Sequence, residues 1–266
     1  MFLRGLVLLA AIGEPGANDS SLMNGMLAVA AEADAVLGLK LPARQDTEQE
    51  IEDLVRRARQ AVTGKTPAVK IAQLNHLIFD ELGFRRQLDH SAMGPMLLPY
   101  VLQRREGTCL GLAGLFLTLA ERLGVPLAGV LAPGHFFVRY DDGHTTRDIE
   151  LLKQGRQMPR RWYRQHYGAP ERHPLYLRSL DRSQTLAVFH YNLANMYRER
   201  GDHRKAIERY QQVLAVLPDF AEAHANLGLA YQVLGKRDQA EQAYRRAQAS
   251  FPALPGLQHN LDALRQ

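Results

Sequence analysis

The stretch 107–124, with the sequence GTCLGLAGLFLTLAERLG, places the strongest constraint on how this chain folds. Arranged as a helix, it is apolar on every side until Glu121, and a helix without a polar face belongs inside a domain. Thr108 is a good N-cap residue, while Gly124 and Pro126 are typical of a helix end. We therefore predict a buried helix that begins directly after Thr108.

Cys109, the only cysteine of the 266-residue chain, lies in the first turn of this predicted helix. The free N–H groups and the positive dipole end of a helix start favour a thiolate over a thiol. A single cysteine excludes an internal disulfide and a cysteine-rich zinc site, and the ten histidines form neither an H-x3-H pair nor an HExxH motif. We expect a nucleophile here, with no metal and no cofactor.

A segment rich in β-forming residues follows the helix and brings a histidine and two carboxylates. His135 opens this segment, and the DDG sequence at 141–143 predicts a hairpin. The returning strand carries Asp148 and Glu150 on one face, so either carboxylate is able to orient the imidazole. A nucleophile, a base and an orienting carboxylate are what nucleophilic amide chemistry requires.

The segment resembles the transglutaminase-like superfamily, the circularly rearranged relatives of papain-type cysteine enzymes. The matching features are Gly107-x-Cys109 on a helix that ends in LGVP, the Gly134-His135 strand start, and an acidic residue thirteen positions after the histidine. The resemblance covers roughly residues 20–180 and is most similar to a bacterial branch of largely unassigned activity. It implies an α+β fold: a helix-rich domain over 18–180 with a small antiparallel sheet.

This resemblance implies a catalytic triad of Cys109, His135 and Asp148, in which Asp148 fixes the imidazole tautomer. The superfamily often places a proline after this acid, whereas an isoleucine follows Asp148 here, so Glu150 stays as the alternative orienting acid. Gln103 lies six residues before the cysteine, where papain-type enzymes place an oxyanion glutamine. The backbone N–H of Cys109 is the other candidate oxyanion donor.

The function implied by this resemblance is acyl transfer at amide or peptide bonds, and it leaves hydrolysis, deamidation and transfer to an amine open. The alternative is a catalytically inactive scaffold that binds a protein partner. The formal charge is +5, but no basic run is interleaved with aromatic residues. We therefore expect no nucleic-acid partner.

From Ala187 the chain repeats itself at a period of 34 residues. Positions with an identical residue one period later include His190, Asn192, Leu193, Tyr197, Gly201, Ala206, Tyr210 and Pro218. This pattern resembles tetratricopeptide repeats, and 255–266 resembles a terminal capping helix. We expect an all-α array over 187–266, made of two repeats and a cap, with inner helices that begin near Ala187 and Ala221.

The repeat resemblance implies a concave surface that binds a protein or peptide partner. The residues expected on that surface are Val188, Tyr191, Asn195, Arg198, Glu222, Leu229 and Gln232. Four of them are the candidate peptide contacts: Tyr191, Asn195, Arg198 and Gln232. The other possibility is that the array mainly supports the first domain.

Three further segments carry expectations. Residues 1–17 have the layout of a short signal peptide, and an ordinary N-terminal helix fits as well; this segment is too short for a stable membrane span. A cleaved signal over 1–13 would imply export to the periplasm; without cleavage, a cytoplasmic protein is expected.

An aromatic group around Trp162 is expected to form a lid or packing seam beside the site, and 168–174 is expected to be a linker.

Overall fold

The computed structural model describes residues 21–87 and 92–264, so the expectations for 1–17 lie outside the described residues. The first part of the described chain is mainly helical. Its helices are α1 (Leu22–Leu37), α2 (Arg44–Ala61), α3 (Pro67–Asn75), α4 (Leu98–Arg104) and α5 (Cys109–Leu123). A π-helical turn, His76–Glu81, extends α3, and Gly83 follows it with a left-handed φ of 70°.

The first helix begins at a side-chain cap, whereas the second does not. Ser21 accepts a hydrogen bond from the backbone N–H of Asn24 at 3.2 Å and so caps the start of α1. Thr47, a residue type that often caps helix starts, lies inside α2, which begins at Arg44. The Thr47 hydroxyl donates instead to the carbonyl of Ala43 at 3.1 Å, inside the first turn.

The predicted buried helix is confirmed as α5. Its residues from Leu110 to Ala120 are all buried, and it packs against α1, α2, α4 and the sheet described below. Thr108 caps its start by accepting a hydrogen bond from Gly111 N–H, and Gly124 ends it with a φ of 62°. The central helix therefore presents Cys109 at a fixed end.

The strands form one short parallel pair and one antiparallel sheet. The pair joins β1 (Arg85–Arg86) and β2 (Glu106–Gly107). The sheet consists of β3 (Leu127–Ala132), β4 (His135–Asp141), β5 (Thr146–Glu150), β6 (Arg156–Gln157) and β7 (Ser179–Leu180), in the order β6-β5-β4-β3-β7. The hairpin predicted at 141–143 is confirmed, since it joins β4 to β5.

The segment expected to be a linker is instead packed onto the first domain. It follows α6 (Arg160–Tyr167) and runs to β7, which pairs with β3. Leu177 N–H donates to the carbonyl of Leu131 at 2.8 Å, and the buried His173 accepts hydrogen bonds from the N–H groups of Leu175 and Tyr176. Its proline and glycine content is typical of a linker. The backbone contacts that hold it do not depend on composition, so the sequence does not show them.

The C-terminal part is an array of helices, as the repeat predicted. They are α7 (Arg182–Glu199), α8 (His203–Val216), α9 (Ala221–Val233), α10 (Arg237–Ser250) and α11 (Leu257–Ala263). Helix α7 begins before the expected Ala187 because Asp181 and Gln184 form a capping box. Gly201 and Gly235 make the turns within the two helix pairs with left-handed φ values of 82° and 70°.

Helix α7 attaches the array to the first domain. It packs against α1, β3 and β7, and one hydrophobic core continues from the domain into the array. Glu32 of α1 accepts hydrogen bonds from Tyr197 at 2.8 Å and from Arg209 at 2.6 Å. Among the helices of 21–87 and 92–264, none is long and apolar enough to cross a membrane.

Candidate active site

The start of α5 is held by a close backbone contact. Thr108 N–H donates to the carbonyl of Pro95 at 2.9 Å. A Cβ on Gly111 would lie 2.2 Å from the same carbonyl oxygen, so a glycine is needed at this position. The tight approach fixes the helix start, and with it the half-buried thiol of Cys109.

His135 lies where the sequence analysis expected it, at the first residue of β4. Its Nε2 and the Oε2 of Glu150 are 2.8 Å apart, and the two residues are 5% and 1% exposed. Cys109 lies close enough to His135 to affect its pKa, and the two residues line the same cavity. Because Nε2 is occupied by Glu150, the nitrogen left for the thiol is Nδ1. The structure thus places cysteine and histidine in one cavity, with glutamate bound to the imidazole.

This environment raises the pKa of His135 from 6.5 to about 9. Burial alone would lower the pKa, because it disfavours the imidazolium. The hydrogen bonds and charges of Cys109 and Glu150 more than reverse that effect. The histidine is therefore an imidazolium at neutral pH, the state that favours a thiolate beside it.

The prediction that Asp148 is the acid that orients His135 is wrong. Asp148 lies directly opposite Arg139 in the β4–β5 register and binds its guanidinium through two hydrogen bonds, the longer 3.1 Å. Arg139 is four residues from His135, about 13 Å along a strand, which is beyond the reach of a carboxylate. In the same register Glu150 lies diagonally across from His135, so the alternative acid makes the contact.

The predicted aromatic group lies on the face of the histidine. Tyr167 of α6 stacks on His135 with ring centroids 4.1 Å apart and planes within 5°. Tyr163 is fully buried and stacks on Phe137 at 3.8 Å. This packing holds the imidazole ring and covers it from one side, which fits the expected packing seam.

The structure does not bring Gln103 to the cysteine. Gln103 is exposed on α4 and is not among the residues that line the cavity beside Cys109. The expectation failed because six residues of sequence separation do not specify direction when a helix end and β2 intervene. The backbone N–H groups of Cys109 and Leu110 lie in the first turn of α5 and have no acceptor within their helix. The N–H of Cys109 therefore remains the candidate oxyanion donor.

Cys109 and His135 open into a cavity of about 240 Å³ between the first domain and the array. The array contributes residues of α7 and α9 and the turn before α9. They are Val188, Tyr191, Asn192, Phe220 and Glu222. The repeat array therefore forms one wall of the candidate active site.

The four candidate peptide contacts take different positions. Tyr191 lines the cavity and accepts a hydrogen bond from Asn226 at 3.0 Å. Asn195 accepts hydrogen bonds from Tyr210 and Asn226 at 2.6 and 2.9 Å. Gln232 accepts one from Tyr244 at 2.8 Å, and Arg198 pairs with the neighbouring Glu199. All four are half-buried, and only Tyr191 lies beside Cys109.

Comparison with known proteins agrees with this architecture. Residues 45–188 match the family model described as the transglutaminase-like superfamily. The chain belongs to this superfamily. Two repeat models, described as TPR repeat and tetratricopeptide repeat, match residues 194–235 and 221–253. The transglutaminase-like domain and the repeats are thus the fusion that the sequence patterns predicted.

Relatives of this transglutaminase-like chain occur in bacteria. A "UPF0162 protein" of Xylella fastidiosa is 31% identical over 208 residues, which cover 74% of this chain and 72% of the relative. A second UPF0162 protein, from Pseudomonas aeruginosa, is 30% identical over 190 residues, with 70% of each chain covered. Their names give no activity.

A solved structure shares the fold over both parts of the chain. It is menin, in a structure titled as revealing the binding site for the Mixed Lineage Leukemia (MLL) protein. The TM-score is 0.60 at 12% identity, and the match covers 91% of this chain and 60% of that menin chain. The likeness shows a common arrangement of domain and array.

Proposed function

We propose that this protein is a cysteine-dependent acyl-transfer enzyme that acts on amide or peptide bonds. The observation that supports it most is that Cys109 and His135 line one cavity, with Glu150 bound to the imidazole. A buried carboxylate, an imidazolium and a thiol at a helix start are the parts that an activated cysteine nucleophile needs.

In the proposed reaction, the thiolate of Cys109 attacks the carbonyl carbon of the substrate. The backbone N–H groups at the start of α5 stabilise the oxyanion. His135 then gives its proton to the leaving amine, and a thioester remains on the cysteine. Glu150 holds the ring, so that Nδ1 stays turned toward sulfur. Water or a second amine completes the reaction, with His135 accepting the proton.

An acyl-enzyme test examines this proposal. The protein is mixed with an activated acyl donor, p-nitrophenyl acetate, and its mass is measured. We expect an acetyl group on Cys109 in the wild type and at least a tenfold slower acetylation in His135→Ala. Equal acetylation of both proteins would contradict the proposed role of His135.

The second candidate function is a scaffold that binds a protein or peptide without catalysis. It is supported by the tetratricopeptide repeats and by the similarity to the menin structure, whose title names a binding site for a protein. The half-buried polar side chains of Tyr191, Asn195, Arg198 and Gln232 would then contact the partner. A wild-type protein that never forms a thioester would favour this function.

A further inference from the structure

The wall that the array contributes contains a half-buried carboxylate, Glu222 at the start of α9. Its Oε1 accepts a hydrogen bond from Gly134 N–H at 3.3 Å, and its Oε2 accepts one from the hydroxyl of Tyr176. Gly134 directly precedes His135 in the chain, so Glu222 lies next to the catalytic histidine in the same cavity.

Glu222 forms no salt bridge among residues 21–87 and 92–264, although His135 lines the same cavity. Burial raises the pKa of Glu222, while the hydrogen bonds from Tyr176 and Gly134 partly offset this effect. A carboxylate has about four acceptor sites, so two neutral donors leave acceptor capacity unused. Even partial burial of a carboxylate without a salt bridge costs free energy, and a cation entering the cavity would reduce that cost.

Aromatic rings surround the same part of the cavity. Tyr191 and Phe220 lie with ring centroids 4.5 Å apart, and both line the cavity with Glu222 and Phe136. Aromatic faces attract ammonium and guanidinium groups, most strongly where water is excluded. A carboxylate beside aromatic rings is a combination that recognises a cation carried on an apolar stem.

We propose that Glu222, Tyr191 and Phe220 form a subsite for a positively charged group of the substrate, such as the side chain of a lysine or arginine. This inference rests on the proposed function, since it assumes that the substrate reacts at Cys109. It assigns recognition to the repeat array and chemistry to the first domain.

The single cysteine allows a direct test, because every thiol label reports on Cys109. Three methanethiosulfonate probes are compared: aminoethyl (cationic), sulfonatoethyl (anionic) and methyl (neutral). Each rate is divided by the rate of the same probe with free 2-mercaptoethanol. We expect Glu222→Gln to lower the cationic-to-anionic ratio at least about tenfold. The matched control Glu208→Gln removes the same charge from an exposed position on α8 and should leave the ratio within about twofold.

An equal ratio in the wild type and in Glu222→Gln would overturn the inference. The neutral probe keeps this result separate from the proposed function, since it reports on thiol activation alone.

A wild-type measurement covers the case in which Glu222→Gln does not fold. N-acetyl-lysine methylamide and its uncharged analogue N-acetyl-norleucine methylamide are compared as protectors of Cys109 against the neutral probe. We expect the lysine compound to protect at about tenfold lower concentration. Equal protection by the two compounds, or protection by neither, would overturn the inference.

Discussion

The two walls of the cavity are built in different ways. On the domain side, His135 is bound to Glu150 across two paired strands, and Cys109 lies at a helix start in the same cavity. On the array side, Tyr191 and Phe220 are aromatic. Glu222 is a carboxylate that forms no salt bridge in the described chain. The difference suggests that one wall activates the nucleophile while the other selects what reaches it.

The largest expected effect comes from the two acids of β5, which the domain wall uses differently. Asp148→Asn leaves the guanidinium of Arg139, which is 2% exposed, without its counter-charge. We expect a loss of about 3–5 kcal/mol in the free energy of unfolding, measured with urea.

Glu150→Gln should instead slow the alkylation of Cys109 at pH 6.5 by about tenfold, because the imidazolium loses its partner.

These two variants break the comparison if they behave alike. Should Asp148→Asn slow alkylation as strongly as Glu150→Gln, without loss of stability, Asp148 would be the orienting acid. The assignment of Glu150 by strand register would then be incorrect.

A smaller effect is expected from pH. The pKa of His135 is raised from 6.5 to about 9, so the protonated form is favoured in the folded state. Its contribution to stability is fully present below pH 6.5 and is lost as the pH rises through about 9. The shift corresponds to about 3 kcal/mol. Urea unfolding between pH 6 and 9.5 should show the free energy of unfolding of the wild type falling with pH. His135→Ala should show a smaller fall. Parallel curves for the two proteins would contradict this prediction.

Two glycines provide the smallest and sharpest contrast between domain and array. A Cβ on Gly111 would lie 2.2 Å from the carbonyl oxygen of Pro95, and one on Gly228 would lie 2.6 Å from the ring of Tyr244. We expect each alanine variant to lose about 1–3 kcal/mol in unfolding free energy. Only Gly111→Ala should also slow alkylation, because it displaces the start of α5. Equal alkylation rates in both variants would show that the helix start does not control the thiol.

Much of the fold was predictable because its signals are local. The buried helix, its caps at Thr108 and Gly124 and the hairpin at 141–143 follow from patterns within a few residues. The repeat array follows from a period of 34 residues. Interactions of this kind are encoded in neighbouring or periodic positions, so a single sequence shows them.

The remaining features depend on contacts that a sequence does not encode locally. Asp148 and Glu150 share a face of β5, and only the register of β5 against β4 decides which one meets His135. Tyr167 and Glu222 approach the histidine from separate elements, α6 and α9. The aromatic seam and the concave face were predicted, whereas their meeting at one cavity was not.

The most direct test of the central claim is the pH dependence of iodoacetamide alkylation of native Cys109, measured with His135→Ala as the comparison. We predict that the wild type reacts nearly as fast at pH 6.5 as at pH 8, because the imidazolium stabilises the thiolate. His135→Ala should be about 100-fold slower at pH 6.5, where an ordinary thiol with a pKa near 8.5 is about 1% ionised. Two identical curves centred near 8.5 would contradict the account and leave the cysteine a structural residue.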